Sequence, residues 1–241
     1  MNSKALLMGA SGKQHLSFLD IATPVAMEYA SKHNYDFCSI RGKAFDDFAR
    51  TRPPAWAKVP ILLAALHAYD IVCWLDCDTI IVDDTLDISD TLTLESPIGI
   101  VNQPLSIETF FTVPIERLKT VKLQVSCPNT GVMVLKKTVT TMNLLREIWD
   151  GEDGPLWEQS SFLSIMGYEG EWPYLPPKEP SLYADAIQWL DRKWNVHKRH
   201  NREEQGYIHH WSHLPYEERV LGLLSDSQNK KHDTTSDYIS R

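Results

Sequence analysis

Asp76 and Asp78 stand two residues apart in an otherwise apolar run, with Ile71-Val72-Cys73-Trp74-Leu75 before them and Thr79-Ile80-Ile81-Val82 after. Residues i and i+2 of a β-strand face the same side. The spacing therefore predicts two carboxylates projecting together from the end of a buried strand. Two anions so placed repel one another and lose hydration, a situation that a cation between them relieves. A hard divalent ion bridging the phosphates of a ligand meets that need. The plain alternative is a strand end that turns into solvent with two hydrated carboxylates.

The elements that must position this pair can be read on either side of it. Lys4 to Met8 reads as a first strand, Gly9-Ala10-Ser11-Gly12 as a turn, and His15 to His33 as a helix. Leu16, Leu19, Ile21, Val25, Ala26 and Tyr29 supply that helix's apolar face. Tyr35 to Ile40 is a second strand, so the opening is β-α-β and predicts a parallel sheet. A polar loop over 41–54 precedes a helix from Trp56 to Ala68 that tolerates Pro60 in its first turn. That helix delivers the chain to the aspartate strand.

Further on, Ile98 to Asn102 reads as a strand, while 103–124 shows no clear period. Cys127-Pro128-Asn129-Thr130-Gly131 reads as a turn leading into the strand Val132 to Leu135. Thr138 to Trp149 and Leu156 to Met166 read as helices, and 172–180, with four prolines, as an ordered or extended loop. Tyr207 to Trp211 is a late strand and Tyr216 to Leu224 a short helix. From Ser225 the chain is polar. The expected organisation is one domain over 1–224 and a flexible tail over 225–241.

Composition narrows the class. The chain has 241 residues, of which 43% are hydrophobic, enough for one substantial core. A net charge of −8 argues against a broad basic face for nucleic acid. No apolar run approaches the length of a membrane span; the longest, Val59 to Leu66, falls far short. Cys38, Cys73, Cys77 and Cys127 have no C-x-x-C spacing and read as thiols rather than a disulfide framework. The expectation is a cytoplasmic protein with no membrane span and no nucleic-acid partner.

Several features line up in order with the aspartate pair: Trp56-x-Lys58 before it, then Asn129-Thr130-Gly131, Glu158-Gln159, Trp194-Asn195 and His209-His210-Trp211-Ser212-His213 after it. Over roughly residues 4 to 215 this order resembles the GT-A fold glycosyltransferases. The likeness is strongest to the retaining galactosyl-, mannosyl- and xylosyltransferases of the Gma12/Mnn10 kind, and looser to glycogenin-type enzymes. It implies a Rossmann-like α/β fold with a mixed sheet flanked by helices.

The resemblance also implies roles. Asp76 and Asp78 would hold Mn²⁺, or Mg²⁺, against the diphosphate of a UDP- or GDP-linked sugar. A late histidine would be the third ligand. His210, directly before Trp211, is preferred, and His209 is the alternative, because strand neighbours face opposite ways and only one can reach the ion. Gly9, Ala10 and Ser11 would wrap the nucleoside, and Lys58 would help neutralise the donor. Asn129, Thr130 and Gly131 would line the donor-sugar or acceptor side. Glu158 and Gln159 would lie near the transferred sugar, Gln159 on the β face of the anomeric carbon. With Asp76 and Asp78, these two are the candidate catalytic residues. The family often carries glycine three residues after the ligand histidine, where this chain has His213.

The activity so implied is metal-dependent transfer of a sugar to a carbohydrate or other hydroxyl acceptor, with retention. Front-face attack would leave the acceptor's proton on a departing phosphate oxygen. A double displacement would need a carboxylate at C1, and Glu158 is the candidate. Three other readings compete: a haloacid-dehalogenase-type phosphatase using Asp76 and Asp78, a nucleotidyltransferase making sugar nucleotides, and a binding module without turnover. Leu75-Asp76-Cys77-Asp78-Thr79 matches the phosphatase motif only in part. Ser11-Gly12-Lys13 is a thin version of a nucleotidyltransferase loop.

Overall fold

A computed structural model describes residues 2–93, 95–104, 126–169, 177–199 and 202–239. Strand β1 (Lys4–Ala10) is buried at every position after Lys4. That is the signature of a central strand covered on both faces. It pairs in parallel with β2 (Asp36–Arg41) on one side and β3 (Ile71–Asp76) on the other. Helix α1 (Lys13–Lys32) makes the connection from β1 to β2 and buries Phe18, Leu19, Val25, Ala26 and Tyr29 against one sheet face. The opposite face meets α3 (Lys58–Ala68) and α4 (Val139–Asp150). Strand alternation assigns the two layers: Leu6, Met8, Cys73 and Leu75 face the α1 side, and Ala5, Leu7, Val72 and Trp74 face α3 and α4.

Among the described residues the main sheet has the order β2-β1-β3-β6-β5-β7. Here β5 is Ile98–Pro104, β6 is Ser126–Lys136 and β7 is Ile187–Leu190. β6 runs antiparallel to both neighbours, β3 and β5, so the sheet is mixed, as the resemblance implied. A second sheet, β4-β9-β8, is built from Thr79–Ile81, Ile208–His210 and Val196–His197.

Four local expectations change, three of them before the C-terminal helix. The apolar run through the aspartates is not one strand. β3 ends at Asp76, Cys77 and Asp78 form a turn, and β4 opens at Thr79 in the other sheet. Thr79 Oγ1 donates 2.7 Å to the Asp76 carbonyl and tightens that turn. Second, the loop 41–54 contains helix α2 (Lys43–Ala49), whose Phe45 and Ala49 are buried. Third, Cys127 to Gly131 is not a turn. It lies inside β6, where the register with β5 slips: Ile100 faces Met133 but Val101 faces Asn129. The extra residues bulge, as bulges near functional sites do, and re-aim the side chains of Asn129 and Thr130.

Helix α5 after Trp157 spans Glu158–Ile165, and the last helix, α6, spans Tyr216–Ile239 rather than stopping at Leu224. It lies against α1 and β4. Asp226 and Lys230, within the stretch expected to fray, bond to the body of the protein: Asp226 to His209 and Trp211, Lys230 to Asp84 at 2.9 Å. All four cysteine thiols are free, and Cys73, Cys77 and Cys127 are buried. Among the described residues no helix is long and apolar enough to cross a membrane.

Candidate active site

A cavity of about 500 Å³ opens where β1 and β3 end, between the two sheets. Gly9, Ala10, Ser11, Lys58, Asp76, Asp78, Asn129, Thr130, Glu158, Gln159 and His210 all line it. Gly131 and His209, the other residues singled out in the sequence, do not. In parallel register Gly9 lies beside Asp76. A Cβ on Gly9 would come 2.5 Å from the Phe45 ring, so glycine is what lets α2 close on the sheet there.

Asp76 is fixed from one side. Its Oδ1 accepts from the Trp74 indole Nε1 at 2.6 Å and lies 3.0 Å from Lys58 Nζ. The same ammonium donates to Glu158 Oε1 at 2.8 Å and to the Thr130 carbonyl at 3.0 Å. Burial alone would push the Lys58 ammonium down. The charges of Asp76 and Glu158 more than offset that and hold it above the ordinary lysine range. Thr130 Oγ1 completes the group with a 3.0 Å bond to Glu158 Oε1.

Asp78 is fixed from the other side. The second sheet pairs Thr79 with His210, and the Trp211 N–H donates 2.9 Å to the Asp78 carbonyl. This clamp brings His210 Nε2 to 3.3 Å from Asp78 Oδ1. Arg219, from the first turn of α6, binds Asp78 Oδ2 at 2.5 Å, and its guanidinium lies 4.1 Å from the Phe18 ring centroid. Burial would raise the Asp78 carboxyl. His210 and Arg219 outweigh it and hold the group well below the usual carboxylate range.

Strand geometry separates the two candidate histidines. His209 turns away from the cavity and bonds Asp226 Oδ2 at 2.9 Å through Nδ1. His210 turns inward, so ligand atoms of Asp76, Asp78 and His210 all lie within 4.8 Å of one another. Two carboxylates and an imidazole at that separation are a donor set for a borderline divalent ion such as Mn²⁺. Gly131 stands behind this arrangement: a Cβ there would come 2.4 Å from His210 Cε1.

Four further residues line the site: Ser212 and His213 close the late histidine motif, while Arg219 and Trp157 had no motif to announce them. Arg219 carried one legible signal. It falls at helical spacing from Tyr216 and Leu223, so a cation lies on a helix face that packs against the core. Ser212 lines the cavity with its buried Oγ lacking a hydrogen-bond partner. His213 adopts a φ of +56°, the left-handed conformation that glycine takes freely, which accounts physically for glycine being the common residue there. Trp157 lines the rim with φ +52°. Trp194, quoted with Asn195 in the motif order, is a core residue packed on Tyr207 with the two rings tilted and their centroids 4.5 Å apart.

The model of the galactosyl transferase GMA12/MNN10 family matches residues 5–210. Among solved structures, a glycosyltransferase involved in the glycosylation of the major capsid of PBCV-1 superposes with a TM-score of 0.58. It is 14% identical, and the match covers 92% of this chain and 98% of that one. The apo-form glycosyltransferase GlyE of Streptococcus pneumoniae TIGR4 gives 0.50 at 13% identity, over 98% of this chain and 64% of its own. Mouse xyloside xylosyltransferase 1, apo form, gives 0.47 at 15% identity, over 88% of this chain and 100% of its own. No curated protein sequence matches. At such identities the structural likeness speaks to the fold, and the family match speaks to membership. The chain belongs to the galactosyl transferase GMA12/MNN10 family and is a glycosyltransferase of the GT-A fold.

Proposed function

We propose that this enzyme moves a sugar from a UDP- or GDP-linked donor to a hydroxyl of a glycan or similar acceptor, with retention, and depends on a divalent ion. The observation that carries the reading is the convergence of Asp76, Asp78 and His210 in the cavity that Gly9, Ala10, Ser11 and Lys58 also line. Mn²⁺, or Mg²⁺, held by those three would supply positive charge to the departing diphosphate.

The chain's own groups have distinct tasks. Lys58 holds Asp76 and Glu158 in place through one ammonium. Arg219 adds a second cation on the Asp78 side, where a leaving phosphate gains charge. Gln159 reaches the cavity beside Asn129 and Thr130 and is the polar group assigned to the β face of the transferred sugar. Glu158 bears on the choice of mechanism. Its Oε1 already accepts from Lys58 and Thr130, and the side chain is 6% exposed. A carboxylate so engaged is a poor nucleophile for a double displacement, which supports front-face attack with a phosphate oxygen taking the acceptor's proton. The phosphatase alternative needs Asp76 as nucleophile, and its Oδ1 is engaged by Trp74 and Lys58.

A thermal-shift panel tests the proposal: UDP, GDP, CDP and dTDP, each with and without Mn²⁺, on the wild type and Asp78→Ala. Ligands that bind the folded state raise its melting temperature. The expected result is a Mn²⁺-dependent rise with one nucleotide, absent in the variant. No rise with any nucleotide in either condition overturns the reading.

A further inference from the structure

We propose that Asn195, backed by Asn129, is a positioning residue that decides which nitrogen of His210 carries the proton; the inference rests on the metal-dependent reading above. The direction of the network is set at a backbone group. The Gly131 N–H, which can only donate, gives 2.9 Å to Asn129 Oδ1. That oxygen therefore accepts, and Asn195 must present its Nδ2 to it, at 2.8 Å. Asn195 Oδ1 is then left to face His210 Nδ1 at 2.9 Å, so Nδ1 donates. Nε2 is the nitrogen left for the Asp76–Asp78 side.

The opposite amide end of Asn129 agrees. Its Nδ2 donates to Gln159 Oε1 at 3.3 Å, and that oxygen is pinned as acceptor by the Thr130 N–H at 3.3 Å. Reversing His210 would require turning a chain of amides against two backbone donors. Asn195 is fully buried, and the His210 ring packs so closely on Gly131 that a Cβ there would meet it. An outer partner of this kind commonly sets both the tautomer and the basicity of a ligating imidazole.

Long-range ¹H–¹⁵N NMR of the metal-free protein at alkaline pH reads the tautomer directly, with His210 assigned through His210→Gln. The wild type is expected to show Nδ1–H. Asn195→Leu, which removes the acceptor, is expected to lose that preference and to bind Mn²⁺ 10- to 100-fold more weakly by electron paramagnetic resonance. Asn195→Asp keeps an acceptor oxygen toward Nδ1, though not the donor to Asn129 Oδ1, and is expected to retain the Nδ1–H tautomer; Asn195→Ala replaces the leucine variant if that does not fold. An unchanged tautomer, or Mn²⁺ affinity within two-fold in folded Asn195→Leu, overturns the inference. A wild type with the Nδ1–H tautomer that binds no Mn²⁺ overturns the metal reading instead.

Trp157 supports a second inference from separate geometry. It directly precedes Glu158, which is buried, yet the indole is 48% exposed at the cavity rim. Its φ of +52° is one that a bulky side chain rarely adopts, and such strain gathers at ligand clamps. The rim around it is braced. Arg52 donates 2.9 Å to the Gly151 carbonyl and stacks 4.0 Å from the Trp56 ring centroid, tying the loop of Pro53 and Pro54 to the loop that ends at Trp157. On the transferase reading above, a donor held at the carboxylates would occupy the cavity that Trp157 borders, so a molecule arriving from solvent would meet the indole.

We infer that Trp157 stacks on the C–H face of the acceptor's pyranose ring. Saturation-transfer NMR with Mn²⁺, UDP or GDP, and the methyl glycosides of glucose, galactose, mannose and xylose tests this. Ring protons of at least one glycoside are expected to receive saturation from the wild type and Trp157→Phe but not from Trp157→Ala. Transfer to none from the wild type, or equal transfer from Trp157→Ala, overturns it. The nucleotide thermal shift of the wild type reports separately on the transferase reading.

Discussion

Asp76 and Asp78 are two residues apart, and their surroundings differ in kind. Asp76 keeps 30% of its side-chain exposure and takes its bonds on a single oxygen, from Trp74 and from a lysine shared with Glu158. Asp78 is 8% exposed and has each oxygen facing a different basic side chain, His210 on one and Arg219 on the other. All four partners line the cavity, but the first carboxylate shares its lysine with Glu158, whereas the second has a basic side chain to itself on each oxygen. Buried charges are tolerated when paired and become costly when one partner is removed, so the two halves of the pair should fail differently.

The largest effect should come from the Asp78 half. Asp78→Ala removes a ligand on the proposed reading and is expected to lower kcat by about 10³-fold, or ~4 kcal/mol of transition-state stabilisation. Steady-state kinetics at saturating Mn²⁺ measure this. Acid should expose the same residue. Its folded carboxyl lies below the ordinary value, so its contribution to stability is present above about pH 4 and is lost as pH falls through the lowered value. Chemical denaturation between neutral pH and pH 2.5 is expected to show a shallower acid loss in Asp78→Ala than in the wild type.

The Asp76 half should show its failure in stability. Lys58→Leu leaves Asp76 and Glu158 side by side without the cation that both bind, and Glu158 is buried. About 3–5 kcal/mol of destabilisation is expected from breaking a buried pair in this way, read as a fall in denaturation midpoint with unchanged slope. Gly131→Ala should follow with about 1–3 kcal/mol, because its Cβ meets the His210 ring and Asn129 Oδ1. A loss confined to Mn²⁺ affinity in Gly131→Ala, with stability unchanged, would mean that the ring moves aside rather than resisting.

Much of this was legible in the residues. The parallel β1-α1-β2 opening follows from apolar spacing, and the carboxylate pair from its place in an apolar run. The physical reason offered for that pairing does not survive. The two side chains converge because a turn at Cys77-Asp78 hands the chain to a second sheet, not because one strand aligns them. A two-residue break inside strand-forming sequence leaves no local mark, since only pairing with β9 decides it. Asn129-Thr130-Gly131 read as a turn for the same reason: bulges use turn residues, and the register slip against β5 is a tertiary fact. Helix α2 was hidden in a short, charged stretch whose two inward residues are too few to show a period. Asn195 could be placed in a motif order, but its task depends on Asn129, 66 residues earlier, and sequence carries no sign of that contact.

Arg219 gives the smallest and sharpest test of the contrast. Its Nη2 sits on the Asp78 oxygen that does not face His210, while its own Nε is buried without a hydrogen-bond partner. A divalent ion that engages Asp78 competes with this guanidinium for the carboxylate. A diphosphate held by that ion would offer the guanidinium new acceptors and a partner for Nε. Arg219→Gln should therefore act in opposite directions on the two ligands. Mn²⁺ alone is expected to bind about three-fold more tightly, the effect of some 0.7 kcal/mol of relieved competition. Nucleoside diphosphate in the presence of Mn²⁺ is expected to bind several-fold more weakly. Titration calorimetry resolves both. If the two affinities fall together, Arg219 supports the shape of the Asp78 side rather than competing for it, and the difference between the two carboxylates is one of burial alone.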